Sequence, residues 1–315
     1  MNDIRMEHVS IRFPVSNGYV NAVDDVSAVF RAGEITGIIG ESGCGKSVLG
    51  MGLLGLLPAY AATAGSIWLG NRRLSDLTAA RIRQVRGREI GLIAQNPADS
   101  LNPVRKIRGQ LTESIRLNPA GRQAGRKAEA DIVRKLLIDF GFREDEVVPV
   151  LNAFPFQLSG GMLQRVAAAM GVASGAAWVL ADEPSKGLDT VLQKQMYRTL
   201  RQVKEQGTDG LIIITHDIAL AESLCDRVAV MYSGQIVEMG TDVLGLPRHP
   251  YTKGLLASLP SRGMQPMKGL APAPGELPEG CRFAPRCSEA GPECRRARPE
   301  ARGDADEMVR CFRYD

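Results

Sequence analysis

The 315-residue chain is 44% hydrophobic and 23% charged, the balance of a folded globular protein and not of a disordered or collagen-like one. Its 39 basic and 35 acidic side chains leave a net charge of +4, too small an excess to imply nucleic acid as a partner. The length suits two domains, or one α/β domain of about 230 residues with an appendage.

In chain order, residues 1–13 contain no apolar run of the kind a secretory signal carries. Short β-type runs follow at Glu7–Phe13, Val20–Phe30 and Ile35–Ile39, with a turn at Arg31–Glu34. A glycine-rich turn at 40–45 opens a helical pattern from Lys46 to about Leu56. Two more strands are predicted at Ser66–Leu69 and Ile90–Ala94. Residues 104–175 are mostly helical in pattern, with breaks at 118–121 and 149–155. Strands at Trp178–Ala181, Leu211–Thr215 and Arg227–Tyr232 then alternate with helices at 191–206 and 217–224, which predicts a parallel sheet covered by helices. The most apolar stretches, Val48–Leu57 and Gly171–Ala181, are about half the ~20 residues that cross a bilayer. The expectation is a soluble, cytosolic protein able to dock on a membrane protein. Pro260, Pro266, Pro272, Pro274, Pro278 and Pro285 then mark a linker that leads into a cysteine-bearing tail.

Gly40-Glu41-Ser42-Gly43-Cys44-Gly45-Lys46-Ser47 fits the G-x-x-x-x-G-K-[ST] pattern between a strand and a helix, the context that defines a P-loop. The glycines let backbone N–H groups turn inward around a polyphosphate, and the helix start, including Val48, adds a favourable dipole. Lys46 is read as reaching the β- and γ-phosphates of ATP and Ser47 as binding Mg²⁺. Cys44 has no chemical duty there. The apolar run Trp178–Ala181 ends in Asp182 and Glu183; at a strand's C-terminal end these suit a Mg²⁺ ligand and a group that activates the attacking water, respectively.

Phe156–Arg165, Phe-Gln-Leu-Ser-Gly-Gly-Met-Leu-Gln-Arg, resembles the LSGGQ-type signature of ABC ATPases. Gln95 resembles their Q-loop glutamine, Ser185–Asp189 their D-loop and His216 their switch histidine, all in the family's order. The resemblance covers residues 1 to about 240. It implies an α/β fold with a RecA-like core, an antiparallel β-subdomain and a helical subdomain at about 96–175. It also implies that Ser159, Gly160, Gly161 and Gln164 cap the ATP of a facing subunit, and that Gln95 joins Ser47 and Asp182 around Mg²⁺. In the same way it makes Glu183 and His216, with Lys46, the catalytic groups. Ser159 is also a plausible plain N-cap. An aromatic platform for adenine is expected at Tyr19, with Phe13 as the alternative. Lys186 and Gly187 depart from the usual D-loop.

Pro247–Leu256, Leu101–Pro103 and Pro278–Cys287 resemble segments of the ATPase subunits of dipeptide, oligopeptide and nickel importers, although Ala284 stands where that group usually has histidine. The implied layout is an ATPase domain over 1–240, an importer-type extension and linker over 241–280, and a cysteine-rich tail over 281–315. Gly160-Gly161-Met162 resembles the D-type subunit. The implied partners are a non-identical F-type ATPase, two transmembrane permeases and, indirectly, an extracytoplasmic binding protein, at the cytoplasmic face of the membrane. A soluble ABC regulator without transport is the alternative, and a redox sensor centred on the tail a third. Arg81, Arg83, Arg86 and Arg88 are read as a solvated face.

Cys281, Cys287, Cys294 and Cys311 are spaced x5, x6 and x16, which suits zinc poorly because zinc sites start from C-x₂₋₄-C pairs. Four thiolates can hold an iron–sulfur cluster. The D-type resemblance implies a 4Fe-4S cluster there, with zinc and free thiols as the alternatives. His8 and His249 are assigned no chemistry, and the cargo is not named by the sequence.

Overall fold

The strands run in the order β1 (Ile4–Val15), β2 (Gly18–Phe30), β3 (Ile35–Ile39), β4 (Ala62–Leu69), β5 (Arg72–Arg73), β6 (Ile90–Ile93), β7 (Trp178–Asp182), β8 (Gly210–Thr215), β9 (Arg227–Tyr232), β10 (Gln235–Gly240), β11 (Arg302–Gly303) and β12 (Met308–Val309). The structure is a computed structural model and describes residues 2–16, 18–205, 207–273, 275–305 and 307–314. Pro274 of the proline-rich segment lies outside the described residues. The chain divides into two compact units, Met1–Leu77 with Ile214–Asp315, and Thr78–Ile213.

In the first unit an antiparallel sheet has the order β2-β1-β4-β5. Strand β1 buries Ile4 and Met6, then Val9 and Ile11. The inward set thus changes from even to odd positions. A register shift between Met6 and Val9, with His8 at φ 52°, makes that change without turning the apolar face to solvent. The bulge also explains why Ile4–Met6, out of phase with the residues that follow, fall outside the strand Glu7–Phe13 that the sequence predicts. Strand β3 pairs in parallel with β9, from Thr36↔Arg227 to Ile39↔Val230. Strand β9 turns back into β10, which the sequence reading did not anticipate. The acid at its centre, Glu238, hides it. That carboxylate is 1% exposed and accepts the N–H groups of Arg248 and His249 at 2.6 and 3.0 Å, which satisfies it inside the core.

The C-terminal region is not a separate module. Strand β12 pairs antiparallel with β10 through Glu238↔Val309 and Met239↔Met308. Phe283 packs on Tyr232 and Tyr251 with ring centroids 5.3 and 5.4 Å away. Cys281 and Cys287 lie against the same cluster. A tail of this size cannot bury enough surface by itself, so it shares the core of the first unit. His249 belongs to that core. Burial pushes it down to about 3, and its Nδ1 accepts the Tyr251 N–H at 3.0 Å, so it is a neutral packing residue.

In the second unit β6 and β7 pair in parallel, from Ile90↔Trp178 to Ile93↔Ala181. Helices at Ile107–Ile115, Arg126–Asp139, Glu144–Asn152, Gly160–Val172 and Thr190–Glu205 fill the segment read as helical and the crossover that follows it. Pro149, read as a breaker, lies inside the helix Glu144–Asn152, and the chain leaves that helix only at Ala153. Arg81, Arg83 and Arg88 are exposed and Arg86 is half-buried around the apolar Ile82 and Val85. Among the described residues no helix is long and apolar enough to cross a membrane.

Candidate functional site

The phosphate loop begins where β3 ends. Gly40 has φ 152° and Gly45 φ 105°, and a Cβ at either would meet a backbone oxygen, Met231 O at 2.1 Å or Ala22 O at 2.2 Å. Only glycine lets the chain turn in that space. Gly45 is the N-cap of the helix Lys46–Leu53, which has neither a side-chain cap nor an acid in its first turn. Its first N–H groups and the dipole are therefore available to an anion. Lys46 is 7% exposed, and its ammonium donates to the carbonyls of Gly40 and Glu41 at 2.8 and 3.0 Å. A buried ammonium held by carbonyls of its own loop is placed to exchange them for phosphate oxygens. Ser42 and Gly43 are exposed, and Ser47 and Val48 are half-buried. Cys44 faces inward; burial raises its thiol, which fits the packing role expected of it.

His216 is exposed just after β8, before Asp217, whose carboxylate accepts the Leu220 N–H at 3.1 Å and caps the next helix. Tyr19 stands 62% exposed on β2, whereas Phe13 packs edge-on against Tyr60 at 6.3 Å. Of the two aromatics considered for adenine, Tyr19 is thus the more open.

The remaining candidates belong to the second unit. Asp182 is half-buried at the end of β7 and Glu183 follows, 7% exposed, at φ 49°. A non-glycine residue in the left-handed region stores backbone strain, and such strain gathers at functional positions. Gln95 is exposed beyond β6. Ser159 caps the helix Gly160–Val172, its Oγ accepting the Met162 N–H at 3.3 Å, as the plain N-cap reading expects. Gly160 is exposed and Gly161 half-buried. Gln164 is turned inward, 3% exposed, and its amide donates to Pro184 O at 3.0 Å. That side chain ties the helix to the loop after β7 instead of facing a ligand. Asp189 caps the helix Thr190–Glu205 by accepting from Val191 and Leu192, both at 2.9 Å, and Lys186 beside it is exposed.

The four tail cysteines line one small cavity with His249, Phe283 and Phe312. None of them forms a disulfide, and the Cys281 N–H donates to Cys294 O at 2.8 Å. Burial raises the thiols of Cys281 and Cys287. Among the described residues no group of three or more His, Cys, Asp or Glu is arranged to hold a metal ion. Two residues that the sequence reading passed over reach the phosphate loop: Tyr251, whose hydroxyl accepts the Glu41 N–H at 3.0 Å, and Arg286, which pairs with the Glu41 carboxylate at 2.9 Å. Tyr251 lies within the run Pro247–Leu256 and Arg286 within Pro278–Cys287, both importer-like segments, and that was the available signal.

The model of the ABC transporter family matches residues 23–186, and that of the oligopeptide/dipeptide transporter C-terminal region matches residues 237–294. The chain belongs to the ABC transporter family of ATP-binding proteins, in its oligopeptide/dipeptide branch. It is 38% identical to the probable D,D-dipeptide transport ATP-binding protein DdpD of Escherichia coli, over 98% of this chain and 94% of that one. It is 35% identical to the dipeptide transport ATP-binding protein DppD of Haemophilus influenzae (97% and 94%), and 36% identical to the oligopeptide transport ATP-binding protein AppD of Bacillus subtilis (94% and 92%). The ATP-binding cassette MJ0796, solved as a dimer in a post-hydrolysis state with ADP and Pi, superposes with TM-score 0.67 at 24% identity. The match covers 75% of this chain and 97% of that one, and it shows the shared α/β ABC fold. As an ABC ATPase of this branch, the chain couples ATP hydrolysis to transport.

Proposed function

We propose that the chain is the D-type ATPase subunit of a bacterial dipeptide or oligopeptide importer, working at the cytoplasmic face of the membrane. It would pair with a non-identical F-type ATPase, bind two permease subunits, and serve an extracytoplasmic binding protein through them. What carries the proposal is the match of residues 237–294 to the oligopeptide/dipeptide transporter C-terminal region, on a chain whose phosphate loop is a sterically obligatory glycine turn with a buried lysine at an uncapped helix start. The names of the relatives, all peptide transporters, favour peptides over nickel as cargo.

ATP would be held by the backbone of Gly40–Val48 and by Lys46, with Tyr19 against adenine. The signature turn, Ser159, Gly160 and Gly161, would close over the nucleotide of the facing subunit. Ser47, Gln95 and Asp182 offer a hydroxyl, an amide carbonyl and a carboxylate, hard oxygen donors of the kind Mg²⁺ takes. When bound, Mg²⁺ neutralises phosphate charge. Glu183 would accept the proton of the attacking water, and His216 would donate to the γ-phosphate. Glu183→Gln should keep ATP binding and lose hydrolysis by ~10²–10⁴-fold, whereas Lys46→Ala should lose binding. Near-normal turnover by Glu183→Gln would refute the assignment. Peptide uptake by proteoliposomes carrying the permeases separates an importer subunit from a soluble regulator, which would not co-purify with them.

For the tail, four cysteines outside any disulfide line one cavity, and their thiolates would supply the donor set of a 4Fe-4S cluster held by Cys281, Cys287, Cys294 and Cys311. Its duty would be structural, bracing a segment that shares the core. Anaerobic purification with iron and sulfide analysis decides it; a colourless, iron-free protein would end the idea.

A further inference from the structure

Glu41, second in the phosphate loop, is tethered three times. Its N–H donates to Tyr251 Oη at 3.0 Å, its carbonyl accepts from Lys46 Nζ at 3.0 Å, and its two carboxylate oxygens accept from Arg286 Nη1 at 2.9 and 3.0 Å. The Arg286 side chain is only 6% exposed. Its guanidinium lies over the Tyr232 and Phe283 rings at 5.7 and 6.0 Å, which leaves it little freedom to turn elsewhere. The same tail segment is pinned a second time by the buried Arg282, which donates to Asp24 and to Ser233 O.

A carboxylate is an awkward neighbour for a loop that receives a polyphosphate. Left unpaired, it repels the ligand and is free to swing toward the cationic Lys46. We propose that Arg286 is a positioning residue of the ATP site: it neutralises and anchors Glu41 so that the loop stays open to anionic phosphate. The C-terminal region is on this account a working part of nucleotide binding as well as a passenger on the core. The inference rests on reading Gly40–Val48 as the ATP phosphate loop.

The test uses the full chain, with ATP affinity and steady-state hydrolysis measured at low and high salt. Arg286→Ala should raise KM for ATP on the order of tenfold, with the larger share of the effect in KM and not in kcat, and the penalty should shrink at high salt because it is a charge effect. Arg286→Lys should recover most of the affinity. Adding Glu41→Gln to Arg286→Ala should restore binding, because the offending charge is then gone. If Arg286→Ala melts early, Arg286→Met, which keeps an apolar stem against the two rings, takes its place. Arg286→Ala or Arg286→Met within twofold of wild type would overturn the proposal. So would a double variant as weak as the single one, since the pair would then be a staple for the tail and not a charge screen. A wild-type chain that binds no ATP would instead overturn the phosphate-loop reading itself.

Discussion

The molecule has two glycine-rich helix starts, and they are built on opposite terms. In the phosphate loop the glycines are demanded from within: the backbone of Met231 and Ala22 occupies the space where side chains at Gly40 and Gly45 would sit. In the signature turn nothing in the chain asks for glycine. A Cβ at Gly160 would meet no described atom within 4 Å, and one at Gly161 would reach Leu188 and Leu192 at an ordinary 3.7 and 3.8 Å. Glycine costs a helix roughly 0.5–1 kcal/mol relative to alanine, so an open, unforced pair is a net loss for the isolated fold. Bare backbone there suits the role proposed for this turn, closing over a nucleotide presented by a second subunit.

Substitution at each turn tests that contrast. Gly45→Ala should have the largest effect. It must relieve a 2.2 Å approach to Ala22 O at a φ that alanine adopts poorly, so ATP binding should fall at least 100-fold and the melting temperature should drop with it. Gly160→Ala should leave the melting temperature unchanged or slightly raised. Isolated subunits should still bind ATP, while hydrolysis by the assembled pair falls on the order of tenfold or more. A Gly160→Ala protein with full assembled activity would erase the distinction between the two turns. Ser159→Ala should cost about 1 kcal/mol through loss of the cap on Met162, a shift of about 2–4 °C. A larger loss would mean that Ser159 has more to hold than that helix.

Both turns were legible in the sequence because their logic is local. Strand, glycines, lysine and helix follow one another within Ile35–Leu53, and a serine before two glycines announces a helix start whatever it binds. What escaped was set by distance or by compensation. Tyr251 and Arg286 meet Glu41 from 210 and 245 positions away, and no local pattern carries such a pairing. Strand β10 was missed because Glu238 looks like a surface acid until the N–H groups of Arg248 and His249 are seen to satisfy it. The docking of the tail was hidden because its prolines deny it a regular pattern. Met308 and Val309 add it to the sheet, and Phe283, with Cys281 and Cys287 against the same cluster, adds it to the core. Gln164 fits the signature by position, yet its amide is bound to Pro184, because a motif gives a residue's order in the chain and not the direction of its side chain.

The smallest perturbation asks only whether the two turns differ in openness while the protein is folded. Cys44 lies within the phosphate loop, yet burial raises its thiol despite the Lys46 ammonium 3.8 Å from its Sγ. At pH 8 it should therefore hold less thiolate than a free cysteine, and alkylation, which needs the thiolate, should be slow. Gly160→Cys puts a thiol into open space at a helix start, where the dipole favours the thiolate. Iodoacetamide should label that position at least tenfold faster than Cys44 in the same molecule, by peptide mass spectrometry. Cys225, pushed up to about 12 by burial, marks the unreactive limit. Raising the pH should speed Cys44 beyond the point where a free thiol levels off, because its raised pKa leaves thiolate still to be formed. Equal labelling at positions 44 and 160 would mean that the phosphate loop opens as freely as the signature turn, and the steric case for its glycines would then describe one conformation among several.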